Sequence, residues 1–589
     1  MGRACGASAV TGPRAERAVV ALAVMVSMRA AAVGAELKLD LYPTIHCIGV
    51  RITDVPDEIT AAKLEYRKQG RPDWRPALPM VLCYGNRFAD SEGPADETAD
   101  ETQAAWEDAP PMIHRLHGSI FYLEPGTTYE VRATLLDAKG QAGDSLLGTV
   151  ATRPDGVASG KGRILRVGAD AEHKTIQAAL LKAEPGDTVV VSPGVYKESL
   201  TKWPEAEPGK PITLRGEKGA ILDGEGIPKT GDVCAGINLE ERHDIIIEGL
   251  QIQRFDYCVF VKRSQNIVLQ RNLIDLTRSK PHANYGIRFK SCRDCLIQYN
   301  TVREPEKGQG DYTKYPLSFH HNRGIVVRYN RVSGCCQDIN DNRNNSDTDI
   351  YENHYRGTTA DDGVELESGV CVNLRFWGNT LDNHDGGKVA ISVTPVTVGP
   401  VYVFRNLVLA PFECIKFCNG GTTNALAAGH RMANFAPLFF YHNTFYMNPA
   451  NKGQISLFRC VGLHGNLTLV NNIFYGTALP DVTKNLRADR SSADFFQLWA
   501  DYNIEWDEQT KKSLNAGMDE HSLFVPPQLM DVATCDLRPK AGSPAIDAGT
   551  VLPNINDEFT GKAPDIGCFE LGAETAGRTL KEPLKEDPR

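Results

Sequence analysis

The chain repeats the motif Ile267-Val-Leu-Gln-Arg-Asn272 as Leu296-Ile-Gln-Tyr-Asn300 and again as Val326-Val-Arg-Tyr-Asn330. The asparagine that ends the motif occurs nine times, at Asn272, Asn300, Asn330, Asn353, Asn379, Asn406, Asn443, Asn472 and Asn503. Successive intervals are 28, 30, 23, 26, 27, 37, 29 and 31 residues. A two-helix repeat has a similar period, but the β-branched residues and the lack of helical spacing favour strands. The repeat therefore predicts a solenoid of stacked β-coils.

Asparagine suits the corner of such a coil. Its side chain tolerates the left-handed backbone conformation and hydrogen-bonds the backbone at a tight bend. A single coil cannot bury its apolar face, so stability comes from stacking and both ends of the stack need caps. The repeat count predicts about ten to twelve coils.

Both ends of the repeat carry sequences typical of caps. Between Ile164 and Val191 the pattern predicts a strand, a short helix with Ile176, Ala179 and Leu180 on one side, and a second strand. This opening resembles the N-terminal cap of right-handed parallel β-helices such as pectate lyases and pectin methylesterases. The segment from Leu537 to Glu570 resembles their closing segment. The resemblance implies an all-β fold with a right-handed, single-stranded parallel β-helix over residues 160–573.

Residues 36–153 follow another pattern. The stretch Leu123-Glu-Pro-Gly-Thr-Thr-Tyr-Glu-Val-Arg132 belongs to a strand, a Pro-Gly turn and a second strand. It resembles the fibronectin type III domain, which implies a β-sandwich in front of the β-helix. Such modules usually act as spacers or binding units, so we expect no chemistry in this domain.

The first 35 residues resemble a secretory signal peptide. Basic residues precede the apolar run Ala18–Val26, and Val33-Gly-Ala35 suits a signal peptidase. The apolar run is shorter than the roughly 20 residues that a membrane span needs. We therefore expect a secreted protein, periplasmic or extracellular, with no membrane span after the signal is removed.

Overall charge argues against one class of partner. The chain has 64 Lys and Arg against 74 Asp and Glu, a net charge of −10. Without residues 1–35 the net charge would be about −13, which is unfavourable for binding nucleic acid. Residues 574–589 form a charged tail that we expect to be disordered. Because the solenoid is capped, we expect a monomer.

Fifteen cysteines are present, and 14 follow residue 35. An oxidising compartment would allow Cys47 to pair with Cys83. Cys292 and Cys295 lack the regular four-ligand spacing of a zinc site and lie in strand-like runs. We therefore expect such cysteines to act as small, buried apolar residues.

Charge is segregated along the solenoid. Residues Arg254 to Arg331 contain 15 Lys and Arg against 6 acidic residues, whereas Asp338 to Asp385 contain 11 acidic residues against 3 Arg. An acidic block is unfavourable unless it binds a cation, shares protons or meets cationic neighbours. The segregation therefore indicates a functional face, although charged solvated turns would produce the same composition.

A register rule places candidate residues on that face. Residues at equal offsets from successive corner asparagines should stack about 4.8 Å apart on neighbouring coils. Asp338 and Asp361 share offset +8, and Asp362 and Lys388 share offset +9. This map predicts a column of carboxylates and a lysine, unless insertions in the turns shift the register.

Glycoside hydrolysis is the first use of such a column. It needs one protonated acid and one ionised base or nucleophile, and neighbouring coils give the required separations. The order Asp338, Asp361-Asp362, His384 and Lys416 resembles the polygalacturonase pattern. The chain departs from that pattern because it lacks an Arg-Ile-Lys triplet. The resemblance implies catalytic roles for these aspartates and His384.

Calcium-assisted β-elimination on a uronic acid polymer is the second use, and here the chain resembles β-helical pectate and alginate lyases. That resemblance implies a Ca²⁺ site in the acidic block, with ligands from Asp361, Asp362, Glu365 and Glu367. A lysine or arginine would act as base, with Lys388, Arg288 and Lys290 as candidates. Acidic neighbours raise the pKa of a lysine, so Lys388 suits charge stabilisation better than proton abstraction.

The third alternative involves no catalysis. The face would then only bind an extracellular polysaccharide, with Arg288, Lys290, His320 and Lys416 as candidate contacts, or Asp347 and Asp349 would hold Ca²⁺ for rigidity. Aromatic residues such as Tyr285, Tyr312 and Tyr315 would stack on sugar rings. Trp377 occupies a strand position and is expected in the core.

Overall fold

The computed structural model describes residues 37–85, 113–157, 160–228, 234–276, 285–303, 315–336, 339–359, 362–369, 371–382, 389–396, 398–410, 413–418, 436–447, 456–461, 464–476, 495–508 and 520–572. Within these ranges every regular element is a β-strand except one short helix. The predicted all-β fold is confirmed. The predicted signal peptide (1–35) and charged tail (574–589) lie outside the described residues.

The N-terminal β domain forms one antiparallel sheet. Its strands are β1 (Leu39–Pro43), β2 (Ile48–Ile52), β3 (Ile59–Lys68), β4 (Arg75–Pro76), β5 (Met80–Gly85), β6 (Ile113–Ile120), β7 (Thr128–Asp137) and β8 (Ala142–Ala151). The order is β1-β2-β6-β5-β3-β7-β8, with β4 beside β3. The sheet curls until Leu41 packs over Gly148, where an added Cβ would lie 2.8 Å from Leu41 Cδ1. The specific likeness to fibronectin type III stays a prediction.

A short helix caps the β-helix. Strand β9 (Ile164–Val167) leads to helix α1 (Ile176–Leu180), whose N-cap Thr175 accepts a hydrogen bond from the backbone N–H of Ala178. Ile176, Ala179 and Leu180 are buried, as the predicted amphipathic spacing requires. They pack against the first coil and shield its apolar interior from water.

The first half of the β-helix runs through five complete coils. Its strands are β10 (Thr188–Val191), β11 (Gly194–Tyr196), β12 (Ile212–Gly216), β13 (Ala220–Asp223), β14 (Ala235–Glu240), β15 (His243–Glu248), β16 (Gln251–Gln253), β17 (Tyr257–Lys262), β18 (Gln265–Gln270), β19 (Leu273–Asp275), β20 (Tyr285–Lys290), β21 (Leu296–Gln298), β22 (Thr301–Arg303), β23 (Tyr315–His320), β24 (Val326–Arg328), β25 (Arg331–Cys336) and β26 (Asn340–Arg343).

The second half continues the same pattern to a terminal hairpin. Its strands are β27 (Asp349–Tyr351), β28 (His354–Thr359), β29 (Asp362–Gly369), β30 (Leu374–Trp377), β31 (Thr380–Asp382), β32 (Val389–Val396), β33 (Val401–Phe404), β34 (Leu407–Ala410), β35 (Glu413–Cys418), β36 (Leu438–Tyr441), β37 (Thr444–Met447), β38 (Ser456–Val461), β39 (His464–Val470), β40 (Ile473–Gly476), β41 (Phe495–Asp501), β42 (Ile504–Asp507), β43 (Leu529–Asp531) and β44 (Asp536–Pro539).

Three parallel sheets wrap around one core. Sheet 1 has 13 strands (β9, β10, β12 and every third strand to β39, then β41), sheet 2 has 12 (β11, β13 and every third strand to β40, then β42) and sheet 3 has nine (β14 to β38). Consecutive strands of the chain thus fall on different sheets, and crossovers of this kind are right-handed in nearly all proteins. In the described part of the chain nine coils supply all three sheets, which confirms the predicted right-handed parallel β-helix.

The predicted asparagines form a continuous hydrogen-bonded ladder. Asn272 Nδ2 donates to Asn300 Oδ1 at 3.1 Å, and Asn300 Nδ2 donates to Asn330 Oδ1 at 3.0 Å. The same bond recurs on each following coil as far as Asn503. All nine side chains are buried. Each satisfies backbone groups that the corner would otherwise leave unpaired.

The left-handed turn is made by the residue before each asparagine, and not by the asparagine itself. Arg271, Tyr299 and Tyr329 have φ of 54°, 56° and 56°, and their counterparts on the later coils are similar. The prediction that asparagine adopts this conformation is therefore wrong. Asparagine is required because its amide bridges two coils, whereas the position before it accepts several residue types.

The N-terminal domain covers the outer face of sheet 1. Phe121 packs on Tyr402 and Phe404, with ring centroids 5.1 and 5.2 Å apart. Trp377 lies in the same apolar cluster and is 4% exposed, which confirms its assignment to a core. Beneath this cover Arg375 forms a fully buried ion pair with Asp349.

The predicted bridge between Cys47 and Cys83 is wrong. Both are free and buried. Cys47 packs between the N-terminal domain and sheet 1, whereas Cys83 packs elsewhere, against Val372 and Val398. Cys292 and Cys295 lie in the main core, as expected of small apolar residues.

Candidate functional site

The outward-pointing residues of sheet 3 form columns that follow the strand register. The aromatic column contains Tyr257, Tyr285 and Tyr315. The mixed column contains Phe260, Arg288, Ser318, Asp341, Glu365, Ser392 and Lys416. The cationic column contains Lys262, Lys290, His320 and Arg343.

Strand alternation explains why the mixed and cationic columns share a face, and the contact between Arg288 and Tyr285 places the aromatic column beside them. In β20 Ile287 and Phe289 are fully buried in the core, so Arg288 and Lys290 point outward. Partners in register on neighbouring coils lie about 4.8 Å apart. The face therefore presents aromatic, acidic and basic side chains at a regular spacing along the solenoid axis.

The aromatic column is stacked and holds a guanidinium. The rings of Tyr257 and Tyr285 are 4.7 Å apart and nearly parallel, and those of Tyr285 and Tyr315 are 5.3 Å apart. The Arg288 guanidinium lies 4.4 Å from the centre of the Tyr285 ring and 5.6 Å from that of Phe260. Stacking of this kind fixes a planar cation against the rings.

Asp341 is the centre of a buried charged cluster. Its Oδ2 is 2.7 Å from His320 Nε2 and accepts a hydrogen bond of 3.2 Å from Ser318 Oγ. Its Oδ1 accepts one of 2.8 Å from Arg343 Nε. Arg343 also reaches Glu365, with a nitrogen-to-oxygen distance of 3.7 Å. The guanidinium therefore lies between carboxylates from two neighbouring coils.

The cluster fixes the charge states of Asp341 and His320. Burial alone would raise the pKa of Asp341, but hydrogen bonds and charge from His320 and Arg343 outweigh burial and lower it. Burial lowers the pKa of His320, Asp341 opposes that effect, and Arg288 and Arg343 lower the pKa further. Near neutral pH the cluster thus contains a carboxylate and a neutral imidazole.

The cluster is not a Ser-His-Asp triad. Ser318 Oγ lies 3.1 Å from His320 Nε2, the same ring nitrogen that contacts Asp341. A relay needs the two partners on opposite ring nitrogens. Ser318 is also fully buried, so it positions the cluster and does not act as a nucleophile.

The core beneath the cluster is unusually polar. Asn340 and Asn342 take inward positions of β26 that are filled by Leu317 and Phe319 on the preceding coil. Asn340 donates to the Tyr355 hydroxyl at 3.0 Å, and Asn342 donates to the backbone oxygen of Glu365 at 3.0 Å. Asn342 Oδ1 has no hydrogen-bond partner within the described residues, and a buried polar atom of this kind reduces stability, which indicates that this coil is shaped by function.

The side chains of most residues predicted to act as acid or base are not among those that the structure describes. Asp338, Asp361, His384 and Lys388 lie outside the described residues. For Asp362 and Glu367 only the backbone is described, in β29. The proposed roles of these six residues stay predictions.

The equal-offset rule itself is wrong by one residue. Asp362 pairs with Val389 and not with Lys388. Asn340, ten residues after its corner asparagine, pairs with Val364, which is eleven residues after its own. The turn before sheet 3 thus lengthens by a residue from one coil to the next, and a shift of one residue reverses the face of a strand.

Four residues predicted to bind substrate do lie on this face. Arg288 and Lys416 are in the mixed column, and Lys290 and His320 are in the cationic column. Glu365 joins them beside Asp341. Three cluster residues were not predicted, namely Ser318, Asp341 and Arg343. The contacts that join them into one cluster, such as Asp341 with His320, cross between coils, so their significance depends on a register that the sequence alone misplaces.

The two aspartates predicted to hold Ca²⁺ for rigidity form ion pairs with arginines. Asp347 pairs with Arg51 and Arg323, and Asp349 pairs with Arg375. Among the residues that the structure describes, no group of three or more His, Cys, Asp and Glu side chains is arranged to hold a metal ion. In the same ranges no helix is long and apolar enough to cross a membrane.

The sequence of this chain matches a family model and is similar to a bacterial protein. The family model for the periplasmic copper-binding protein NosD matches residues 188–395. The uncharacterized protein YwoF of Bacillus subtilis (strain 168) is 23% identical over 429 residues, which span 63% of this chain and 87% of YwoF.

Several solved structures are similar. XylC in complex with xylose has a TM-score of 0.39 and 10% identity, covering 62% of this chain and 87% of XylC. The family 28 exopolygalacturonase of Yersinia enterocolitica has a TM-score of 0.31 and 12% identity, covering 86% and 99%. The alginate lyase of Paenibacillus sp. str. FPU-7 has a TM-score of 0.30 and 13% identity, covering 52% and 97%.

The chain is a parallel β-helix protein.

Proposed function

We propose that this β-helix protein binds an anionic polysaccharide along the outer face of sheet 3 and cleaves it there. The observation that carries the proposal is that the cationic column and the aromatic column lie on one face, with Arg288 of the mixed column between them. Lys262, Lys290, His320 and Arg343 occupy one register position on four consecutive coils, and all but the neutral His320 are charged. Like charges stacked on neighbouring strands repel, as Lys262 and Lys290 do, and a bound polyanion relieves that repulsion.

The aromatic column and the cationic column suit the two kinds of surface that a uronic acid polymer presents, its sugar rings and its carboxylates. Aromatic rings bind the apolar faces of sugar rings, and lysine or arginine binds the carboxylate. Among the described residues no acidic side chain forms an ion pair with Lys290. A polymer lying along the solenoid axis would meet Lys262, Lys290 and Arg343 in turn, which suits a repeating charged chain.

Hydrolysis is the first reaction that this face supports. It would use Asp338 with Asp361 or Asp362, because these acids adjoin β26 and β29 in sequence, the strands that carry Asp341 and Glu365. Asp341 itself is an unsuitable general acid, because its lowered pKa keeps it ionised. It serves better to orient His320 and Arg343.

Elimination is a second candidate, favoured by the position of His320. Because His320 Nε2 faces an ionised carboxylate, that nitrogen carries the ring proton and Nδ1 keeps its lone pair. Lys290 and Arg343 flank it on the neighbouring coils and would neutralise a uronate carboxylate. Nδ1 would accept the C5 proton, the C5–H electrons would form the C4–C5 double bond, and O4 would leave and take a proton from water.

Two metal ions, Ca²⁺ and copper, are candidate ligands of the proposed site. Ca²⁺ would assist elimination if Asp361, Asp362, Glu365 and Glu367 bind it, and of these only the Glu365 side chain is described, next to Arg343. The family matched by residues 188–395 is described as copper-binding, but the described residues offer no ligand cluster for copper.

We place the protein outside the cytoplasm, in the periplasm or the extracellular space. The signal-like residues 1–35 and the periplasmic description of the matching family support this location. The proposed partner is an extracellular polysaccharide and not a nucleic acid. We propose that the protein binds it as a monomer.

The test is a binding and product assay on polygalacturonate and alginate, with neutral dextran for comparison. We expect binding of the uronates alone, weakened at high salt because the contacts are ionic. Products with the ultraviolet absorbance of an unsaturated uronide indicate elimination, whereas new reducing ends without it indicate hydrolysis. Chelation should abolish activity only if Ca²⁺ takes part.

Matched lysine variants locate the site. Lys290→Glu reverses a charge in the cationic column and should weaken uronate binding by roughly tenfold or more. Lys218→Glu reverses a charge on an exposed lysine between sheets 1 and 2 and should change binding little. Equal effects of the two variants, or equal binding of dextran and uronates, would contradict the proposal.

A further inference from the structure

A cavity of about 740 Å³ lies where the N-terminal domain meets a corner of the β-helix. Its walls include Tyr42 and Pro43 of β1, Pro208, and the corner residues Asp244, Asn266 and Asp294. The corner residues come from three consecutive coils, so the cavity extends along the solenoid axis. It opens around the corner from the face of sheet 3 and shares no residue with the columns described there.

The corner that forms the cavity continues under the N-terminal domain. Asp244, Asn266 and Asp294 have φ of 54°, 52° and 54°, and Asp347 and Asn373 repeat that conformation further along. Over Asp347 the domain supplies Arg51 as an ion-pair partner. Towards the N-terminal end of the solenoid the domain reaches the corner at Asp294 through Tyr42 and Arg153, and from there the corner borders the cavity.

The polar groups of the cavity are held in place by their neighbours. Asp244 accepts a hydrogen bond of 2.7 Å from Asn266 Nδ2, and its other oxygen lies 2.8 Å from His243 Nδ1. Asp294 accepts one of 2.9 Å from the Tyr42 hydroxyl and one of 3.3 Å from Gln265 Nε2. Each carboxylate oxygen has a second lone pair that a ligand hydroxyl group can use.

The lining matches the surface of a neutral sugar. Tyr42, Pro43 and Pro208 offer apolar surface for the C–H faces of a pyranose, and carboxylates and amides accept or donate hydrogen bonds to its hydroxyls. Arg153 also lines the cavity, where it donates to the backbone oxygens of Gly324 and Asp294 at 2.7 and 2.8 Å and lies 3.7 Å from the Asp294 carboxylate. Because Arg153 balances only one of the two aspartates, a carboxylate ligand would still be repelled.

We infer that this corner cavity is a second saccharide-binding site, selective for neutral pyranose units, to which the N-terminal domain contributes Tyr42. It differs from the sheet 3 face in ligand charge as well as in position. It would let the protein hold a neutral part of a polysaccharide, or a neutral neighbouring chain, while sheet 3 engages a charged part.

The test is calorimetric titration of the full chain with cellotetraose, xylotetraose and mannotetraose, and with tetragalacturonic acid. We expect at least one neutral tetrasaccharide to bind. Gln265→Trp, at an exposed position of the rim, fills the cavity and should weaken that binding by roughly tenfold or more. Gln141→Trp, at an exposed turn before β8, is the matched control and should leave it unchanged.

The outcomes separate this site from sheet 3. Lys290→Glu should weaken binding of tetragalacturonic acid and leave the neutral tetrasaccharide unaffected. The inference is overturned if none of the neutral tetrasaccharides binds, if Gln265→Trp binds them as tightly as the unchanged protein, or if Gln265→Trp selectively abolishes uronate binding. Circular dichroism of each variant checks folding, and Tyr42→Phe, which removes only the hydroxyl, provides a second variant with a milder expected loss.

Discussion

Sheets 1 and 3 belong to the same coils, yet the aromatic ladders on their outer faces have different surroundings. On sheet 1, Tyr351 and Trp377 stack 4.2 Å apart and Phe404 lies 5.8 Å further on, and the N-terminal domain covers all three. On sheet 3, Tyr257 and Tyr285 stack at a similar distance, but the residues beside them are charged.

The comparison shows that stacked coils can form an aromatic ladder on any face of the β-helix. The residues in the neighbouring columns determine whether that ladder packs against a domain or binds a ligand. On sheet 1 the polar neighbours are paired within the molecule, as Arg375 is with Asp349. On sheet 3 the same face carries Arg288 beside the ladder and Lys262, Lys290 and Arg343 further along the strands. The first face therefore suits domain packing, and the second suits a charged ligand from outside.

Removing one partner of the buried pair on sheet 1 should have the largest effect. Asp349→Ala leaves the Arg375 guanidinium buried without its carboxylate and should lower the free energy of unfolding by about 3–5 kcal/mol. Urea unfolding followed by circular dichroism measures the change. Lys197→Ala breaks an exposed pair with Glu225 and should cost no more than about 1 kcal/mol. Similar losses for both variants would mean that the sheet 1 face does not stabilise the protein.

Acid should weaken the same interface through His117, whose Nδ1 lies 2.9 Å from the backbone oxygen of Gly399. Burial, aided by Arg51 and Arg115, lowers the pKa of His117 to about 3. Histidine in the unfolded chain has a pKa of about 6.5. Between about pH 6.5 and about pH 3 the unfolded state therefore binds a proton that the folded state does not. Stability should therefore fall as pH drops from about 6.5 towards about 3, by about 1.4 kcal/mol per unit.

Thermal melts from pH 7 to pH 4 test this contribution. His117→Asn removes the titrating group while keeping a donor for Gly399, so its melting temperature should depend less steeply on pH than that of the unchanged protein. An identical pH dependence in both proteins would show that another group is responsible.

The fold was predictable because its signals are local and repeated. The ladder asparagines, from Asn272 to Asn503, mark the coils directly, and the spacing of Ile176, Ala179 and Leu180 predicts the cap helix. The site was less predictable because side chains meet across coils. One extra residue between Asn353 and sheet 3 moves the partners of β26 in β29 by one position, and the offset changes again on the following coils. Docking of the N-terminal domain depends on pairs such as Arg51 with Asp347, which no local pattern indicates.

On sheet 3, the pH dependence of cleavage should depend on Asp341. If His320 acts as a base, activity rises with pH as its imidazole loses a proton. Because Asp341 raises the pKa of His320, Asp341→Asn should move this rise to lower pH, and it should also reduce kcat because the ring loses its orienting carboxylate. A pH profile of kcat measures both effects. If the reduction occurs without any shift, Asp341 has a structural role only and His320 is not the base.

The smallest expected effect concerns the stacked guanidinium of sheet 3. Arg288→Lys keeps the positive charge but loses the planar group that lies against Tyr285 and Phe260. A cation–π contact at a partly exposed site contributes about 0.5–1 kcal/mol, so uronate affinity should fall by roughly two- to fivefold. Arg215→Lys, at an exposed position of β12 in sheet 1, should leave affinity unchanged. If Arg288→Lys also leaves it unchanged, charge alone holds the ligand, and the ladder on sheet 3 serves packing as the one on sheet 1 does.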